Sequence, residues 1–152
     1  AVKTPDPTHD DETEAPEGSV PWDRWAAWVA AAHTNPPPFE MGPMASLDDA
    51  SDELGGFPFA PRMPRRFAEM GAAYRIEGAR ECQLGSRVAL HLWLERDRAS
   101  ADDPMARMTL YQVRRLTDSD EGQSHVVVVD NVKVEFWAED DVVFGCATTQ
   151  VN

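Results

Sequence analysis

Cysteine, cations and long apolar runs are all scarce in this chain, and each shortage argues against a class of function. The two cysteines, Cys82 and Cys146, form no C-x-x-C pair and no zinc-type spacing, which argues against a structural zinc site. No stretch approaches the roughly 20 apolar residues that span a bilayer, so nothing in it inserts. With 14 Lys and Arg against 27 Asp and Glu, the formal charge is -13. That acidic field repels phosphates and argues against nucleic acid or an anionic membrane surface as partner. A glycine-rich phosphate loop is missing, as is a G-x-S-x-G elbow or comparable signature for a Ser or Cys nucleophile. Carboxylates abound, but they fall in loops and the N-terminal arm, where solvated acids are normal, and no glycosidase-like pair stands out. The expectation is a non-enzymatic protein with no cofactor and no metal.

What is present, at 152 residues, is enough chain for one domain with a core, plus an arm. Residues 1–19 hold Pro5, Pro7, Pro16 and the run DDETE without aliphatic periodicity, and read as a flexible acidic tether. The start at Ala1 reads as a mature or excised segment with any signal or anchor left out. Before Phe57 the cations are Lys3 and Arg24 among a dozen carboxylates; Arg62, Arg65, Arg66, Arg75, Arg80 and Arg87 then follow closely. Residues 20–56 form a helical arm expected to pack on a sheet. Pro21 and Asp23 suit the opening of a helix, and Trp22, Trp25, Trp28 and Val29 recur at helical spacing as one apolar stripe, read as core. Asn35-Pro36-Pro37-Pro38 stops it. A short helix is expected from Ser46 to Leu54, ending at Gly55-Gly56. FPFAPRMP is extended, and Pro64 opens a further turn or two.

Residues 57–152 read as an antiparallel β domain. Strands are expected from Ala72 to Leu84, from Arg87 to Glu95 and from Arg107 to Leu116. The stretch SHVVVVDNVKVEFWAEDDVVFGCATT adds two hairpins, broken at Asp130-Asn131 and at Ala138 to Asp141. In the second strand Val88, Leu90, Leu92 and Leu94 share one face, while Ala89, His91 and Trp93 share the other. Short polar links make the economical arrangement a meander of five to six strands, α+β in class, with the N-terminal amphipathic helix on the face that carries Trp93, Tyr111 or Trp137 in part.

His91, Trp93 and Tyr111 form a possible ligand or partner face, a histidine among aromatic walls; packing beneath the helix is the plainer reading. Met41, Met44, Met63, Met70, Met105 and Met108, with His91 or His125, have the softness to hold Cu(I), though methionine is more often a gap filler. Cys82 and Cys146 stand on the first and last expected strands, where a curled sheet would allow a disulfide and an open one would keep two free thiols.

From Gly56 the chain resembles the extracytoplasmic C-terminal part of bacterial transmembrane anti-sigma factors. The resemblance is carried by GAAYRIEGAR from Gly71, RVALHLW from Arg87, MTLYQV from Met108 and the closing hairpin VEFWAEDDVVFG from Val134. It extends roughly from Gly56 to Thr148 through short apolar motifs whose order and spacing agree. The family's cytoplasmic His-x-x-x-Cys-x-x-Cys motif has no counterpart, so only the outer, sensory portion is matched. The resemblance implies periplasmic placement and a tether leading from an inner-membrane helix outside this chain. Regulation of transcription would follow from protein contact or regulated proteolysis, with a monomer or homodimer and no catalytic residues. The alternative is a small α+β cone, its helices plugging a curved sheet around a small-molecule pocket. His91, Tyr111 and Glu135 would be the polar set of that pocket.

Overall fold

Alternation with a period of two is realised over most of its expected length. The computed structural model describes residues 22–44, 47, 54, 57–69, 74–96, 106–115 and 124–149. Its six strands are β1 (Tyr74–Leu84), β2 (Arg87–Arg96), β3 (Arg107–Arg114), β4 (Ser124–Val129), β5 (Val132–Glu139) and β6 (Val142–Thr149). Among the described residues two helices precede them, α1 (Trp22–Thr34) and the five-residue α2 (Arg65–Glu69). The tether 1–19 lies outside the described residues, as does most of the short helix expected from Ser46 to Leu54. At the β4–β5 turn Asp130 and Asn131 have φ of 47° and 69°, the paired left-handed values of a tight two-residue hairpin. Asx residues tolerate that region best after glycine.

The class is α+β, a six-stranded antiparallel sheet with a helix packed on it, but the sheet is not one continuous meander. Its order is β1-β2-β3-β6-β5-β4, so two three-stranded meanders meet where β3 pairs with β6, from Thr109↔Ala147 to Arg114↔Val142. Burial explains the swap. Six consecutive residues of β3 and all but two of β6 are buried, whereas in β4 exposed and half-buried positions alternate. Central positions go to the strands with most to bury, and β4 falls at the rim.

One face carries α1. Trp25, Ala26 and Val29 are fully buried against Leu84, Ala89, Tyr111, Val134, Phe136 and Ala147. The tryptophan stripe is therefore core at Trp25, with Trp22 and Trp28 partly buried beside it. Gly145 makes that packing possible: a Cβ there would lie 2.6 Å from the Phe136 ring, which crosses over the glycine toward Trp25.

The opposite face carries Leu90, Leu92, Leu94, Met108, Leu110 and Phe144, and it too is covered. Leu47, Phe59 and Phe67 of the proline-punctuated entry segment lie across it. Prolines fix φ in advance, so an extended cover of this kind loses little backbone entropy on docking. Gln112, fully buried, accepts from Arg62 N–H at 3.1 Å and donates to Arg62 C=O at 2.8 Å, tying the segment to β3. Trp137 belongs to this face and not to the helix face expected in part for it. Val132, Val134 and Phe136 point at α1, so the alternation turns Trp137 the other way, beneath the Arg66 guanidinium at 3.9 Å.

Candidate functional site

The two rims of the sheet differ in how their backbone groups are met. Along β1 the chain covers its own edge. Met41 N–H donates to Ala79 C=O at 3.0 Å, Ala79 N–H to Met41 C=O at 3.1 Å, and Met44 N–H to Ile76 C=O at 3.1 Å. Glu81 N–H is taken by the Glu40 carboxylate at 2.8 Å. Gly78 lets the covering strand lie close: a Cβ there would meet the Phe39 ring at 2.7 Å. Among the described residues no segment pairs with the outer edge of β4. Its Val126 and Val128, 52% and 57% accessible, are the exposed large apolar side chains of the described residues.

A parallel contrast exists inside the core. Glu139, at the β5–β6 turn, is buried, and its carboxylate accepts from Arg65 N–H, the Arg62 guanidinium and the Trp137 indole N–H, each at 2.9 Å, and from Arg66 N–H at 3.4 Å. Burial alone would raise its pKa. The Arg65 N–H, the Trp137 and Arg62 side chains and the Arg66 N–H outweigh that and hold it below the usual carboxylate value. This anion fastens α2 and the entry segment to the sheet.

His91 has the reverse environment. It sits in β2 beneath α1 with no accessible surface, stacked on Tyr111 at 4.4 Å and 18° and flanked by Phe39 at 5.1 Å. Neither ring nitrogen has a hydrogen-bond partner among the described residues. Burial first, then the Arg80 charge and the cost of protonating it beside His33, push its pKa down to about 3. His33, at the end of α1, is better placed: Nδ1 lies 2.9 Å from Thr109 Oγ1 and Nε2 lies 3.0 Å from Thr149 Oγ1. Burial and then Arg107 lower its pKa as well, so the bridging imidazole is neutral. Burial also raises Cys82 to about 12 and carries Tyr111 far above the usual phenol value, keeping both protonated.

The expected ligand face is thus assembled but shut in. His91 and Tyr111 are buried under α1 and Phe39, and Trp93 is half-buried, 5.6 Å from His33. Glu135 does not join them, since it projects from the opposite face and pairs with Arg66 at 2.8 Å. The polar set of the cone reading therefore does not converge. An open cleft of about 710 Å³ lies elsewhere, lined by Pro43, Met44, Leu47, Arg62, Met63 and Tyr74. Of the methionines, Met108 is core, while Met41, Met44 and Met63 pack at its margin; Met70 and Met105 lie outside the described residues. No group of three or more His, Cys, Asp or Glu suited to a metal occurs among the described residues.

Both cysteines are free. Two strands separate β1 from β6, and Cys82 packs on the helix face while Cys146 packs on the other, beyond the roughly 7 Å reach of a disulfide. His33 and Thr109 were the members of the buried cluster not singled out from sequence. His33 continues the i, i+4 row of Trp25 and Val29, and Thr109 alternates into line with Tyr111, so the signal was there. No family model, no curated protein and no solved structure matches this chain.

Proposed function

We propose that the chain is the non-enzymatic, extracytoplasmic sensor or partner-binding domain of a membrane-anchored anti-sigma factor, regulating transcription through protein contact or regulated proteolysis. The order of the short motifs from Gly71 to Gly145 is what suggests the family. The observation that carries contact over an enclosed ligand is the filled interface beneath α1, where Trp25, Ala26, Val29, His91 and Phe136 leave at most 1% accessible surface. A cone built to hold a small molecule needs a cavity there. Among the described residues the large apolar side chains left outward, Val126 and Val128, stand instead on an edge strand, the backbone feature through which extended protein segments are bound.

In this reading the domain lies in the periplasm, tethered through the acidic arm to an inner-membrane helix outside this chain, and acts on protein and not on nucleic acid. Removing residues 57–152 from the chromosomal copy should leave one sigma-dependent set of genes unresponsive to its signal or constitutively expressed. Unchanged transcription would contradict the reading. A phosphatase reporter that is active only outside the cytoplasm, fused after Asn152 in the full-length protein, should be active; an inactive fusion would contradict the placement.

A further inference from the structure

We propose that β4 pairs with β4 of a second copy of this chain, antiparallel about a two-fold axis through Val127, joining two six-stranded sheets into one. The transcriptional reading is not needed for this pairing. In a tight two-residue hairpin the residues flanking the turn exchange both hydrogen bonds, and Val129↔Val132 is that pair. Alternation then directs the N–H and C=O groups of Val126 and Val128 away from β5. Residues opposite one another in an antiparallel ladder share a face, so a self-paired strand must be centred on a residue. Centred on Val127, Val126 meets Val128 of the second copy and Val128 meets Val126. Both exposed valines are covered by each other, and their outward backbone groups are satisfied.

Charge fits the same register. The chain carries -13, yet Ser124 to Val129 includes no charged residue, proline or glycine, the usual guards of an exposed edge. On the face away from α1, Lys133 stands beside Val128 and Glu135 beside Val126. Across the seam each row therefore reads Lys133, Val128, then Val126 and Glu135 of the second copy, and no like charges face one another. The tether is the competing occupant, because it enters at Trp22, which stacks on His125 of β4 at 4.5 Å. Its prolines and acidic run make it a poor strand. A seam of six residues is small beside interfaces of about 1,200–2,000 Å², so the dimer should form and dissociate with concentration.

Sedimentation equilibrium of the full chain from about 10 μM to about 1 mM should show the mass rising toward the dimer. Val126→Lys, whose side chain already faces solvent, should weaken association at least tenfold with an unchanged circular dichroism spectrum. With Cys82→Ser and Cys146→Ala as background, Val127→Cys should cross-link to dimer under mild oxidation, while Val126→Cys and Val128→Cys should not. A chain that stays monomeric throughout, a lysine variant that dimerises like the parent, or cross-linking strongest at position 126 or 128 would overturn the proposal. Dimerisation that appears only after removal of residues 1–19 would name the tether as occupant and overturn it equally.

Discussion

At one rim of the sheet β1 hands the backbone groups of Ile76, Ala79 and Glu81 to Glu40, Met41 and Met44, while at the other no segment among the described residues pairs with the outer edge of β4. The backbone chemistry is the same at both, and what differs is whether the chain supplies its own partner. Inside the core the contrast recurs, with four donors gathered on Glu139 and, among the described residues, no partner for either ring nitrogen of His91. Groups met by the chain's own partners hold the fold together. Groups left unmet are where it responds to acid or to another molecule.

The largest expected effect breaks a group that is met. Glu139→Ala takes the carboxylate acceptor from the Trp137 indole, the Arg65 and Arg66 N–H groups and Arg62 Nη1, leaving the Arg62 guanidinium its bond to the Glu139 C=O, and should cost about 3 kcal/mol in urea unfolding at pH 7. A loss under about 1 kcal/mol would mean that water replaces the carboxylate without penalty.

His91 is next and depends on pH. Its folded pKa, about 3, lies below the ordinary 6.5, so the unfolded chain takes up the proton first. Its stabilising contribution is complete above about pH 6.5 and is lost as pH falls toward about 3, at about 1.4 kcal/mol per pH unit. His91→Phe keeps the ring stack on Tyr111 and Phe39 and should flatten that slope. His33, also lowered, would supply what remains. Glu139 has a depressed pKa, so its contribution persists above the ordinary carboxylate value and fades only as pH falls below it. Melting temperatures between pH 6.5 and pH 4.5 therefore isolate the histidines; a slope identical in the parent and His91→Phe would refute the assignment.

Gly78→Ala should cost about 1–3 kcal/mol, because its Cβ would displace Phe39 and loosen the cover on β1. That variant should also aggregate more readily than the parent, having opened a second edge. Smallest is Val126→Lys, expected within about 0.5 kcal/mol of the parent in unfolding, since its effect is on association.

Much of this architecture was legible from alternation. Val88, Leu90, Leu92 and Leu94 announced the two faces of β2, and Asp130-Asn131 announced its hairpin turn. The strand order was not, because alternation says which face a residue joins and nothing of which strand lies beside it. The cover on the second face was hidden for a related reason: Phe57, Phe59 and Met63 lie in an extended segment without helical period or strand alternation. His91 and Tyr111 were found together, since both sit on alternating strands in register. The bare edge was missed, as four consecutive valines read equally well as a buried strand, and only the position of β4 at the rim turns two of them outward. β1, the other rim, offers no such edge, because Met41 and Met44 already occupy it.

Amide hydrogen exchange at two concentrations tests the difference between the rims most directly. At low micromolar concentration the Ala79 and Glu81 amides should be protected, while those of Val126 and Val128 exchange at close to the rate of an unstructured peptide; near millimolar concentration the valine amides should become protected too, and those of β1 should not change. Protection of Val126 and Val128 already at the low concentration would show that the chain covers both of its edges, and would contradict the account.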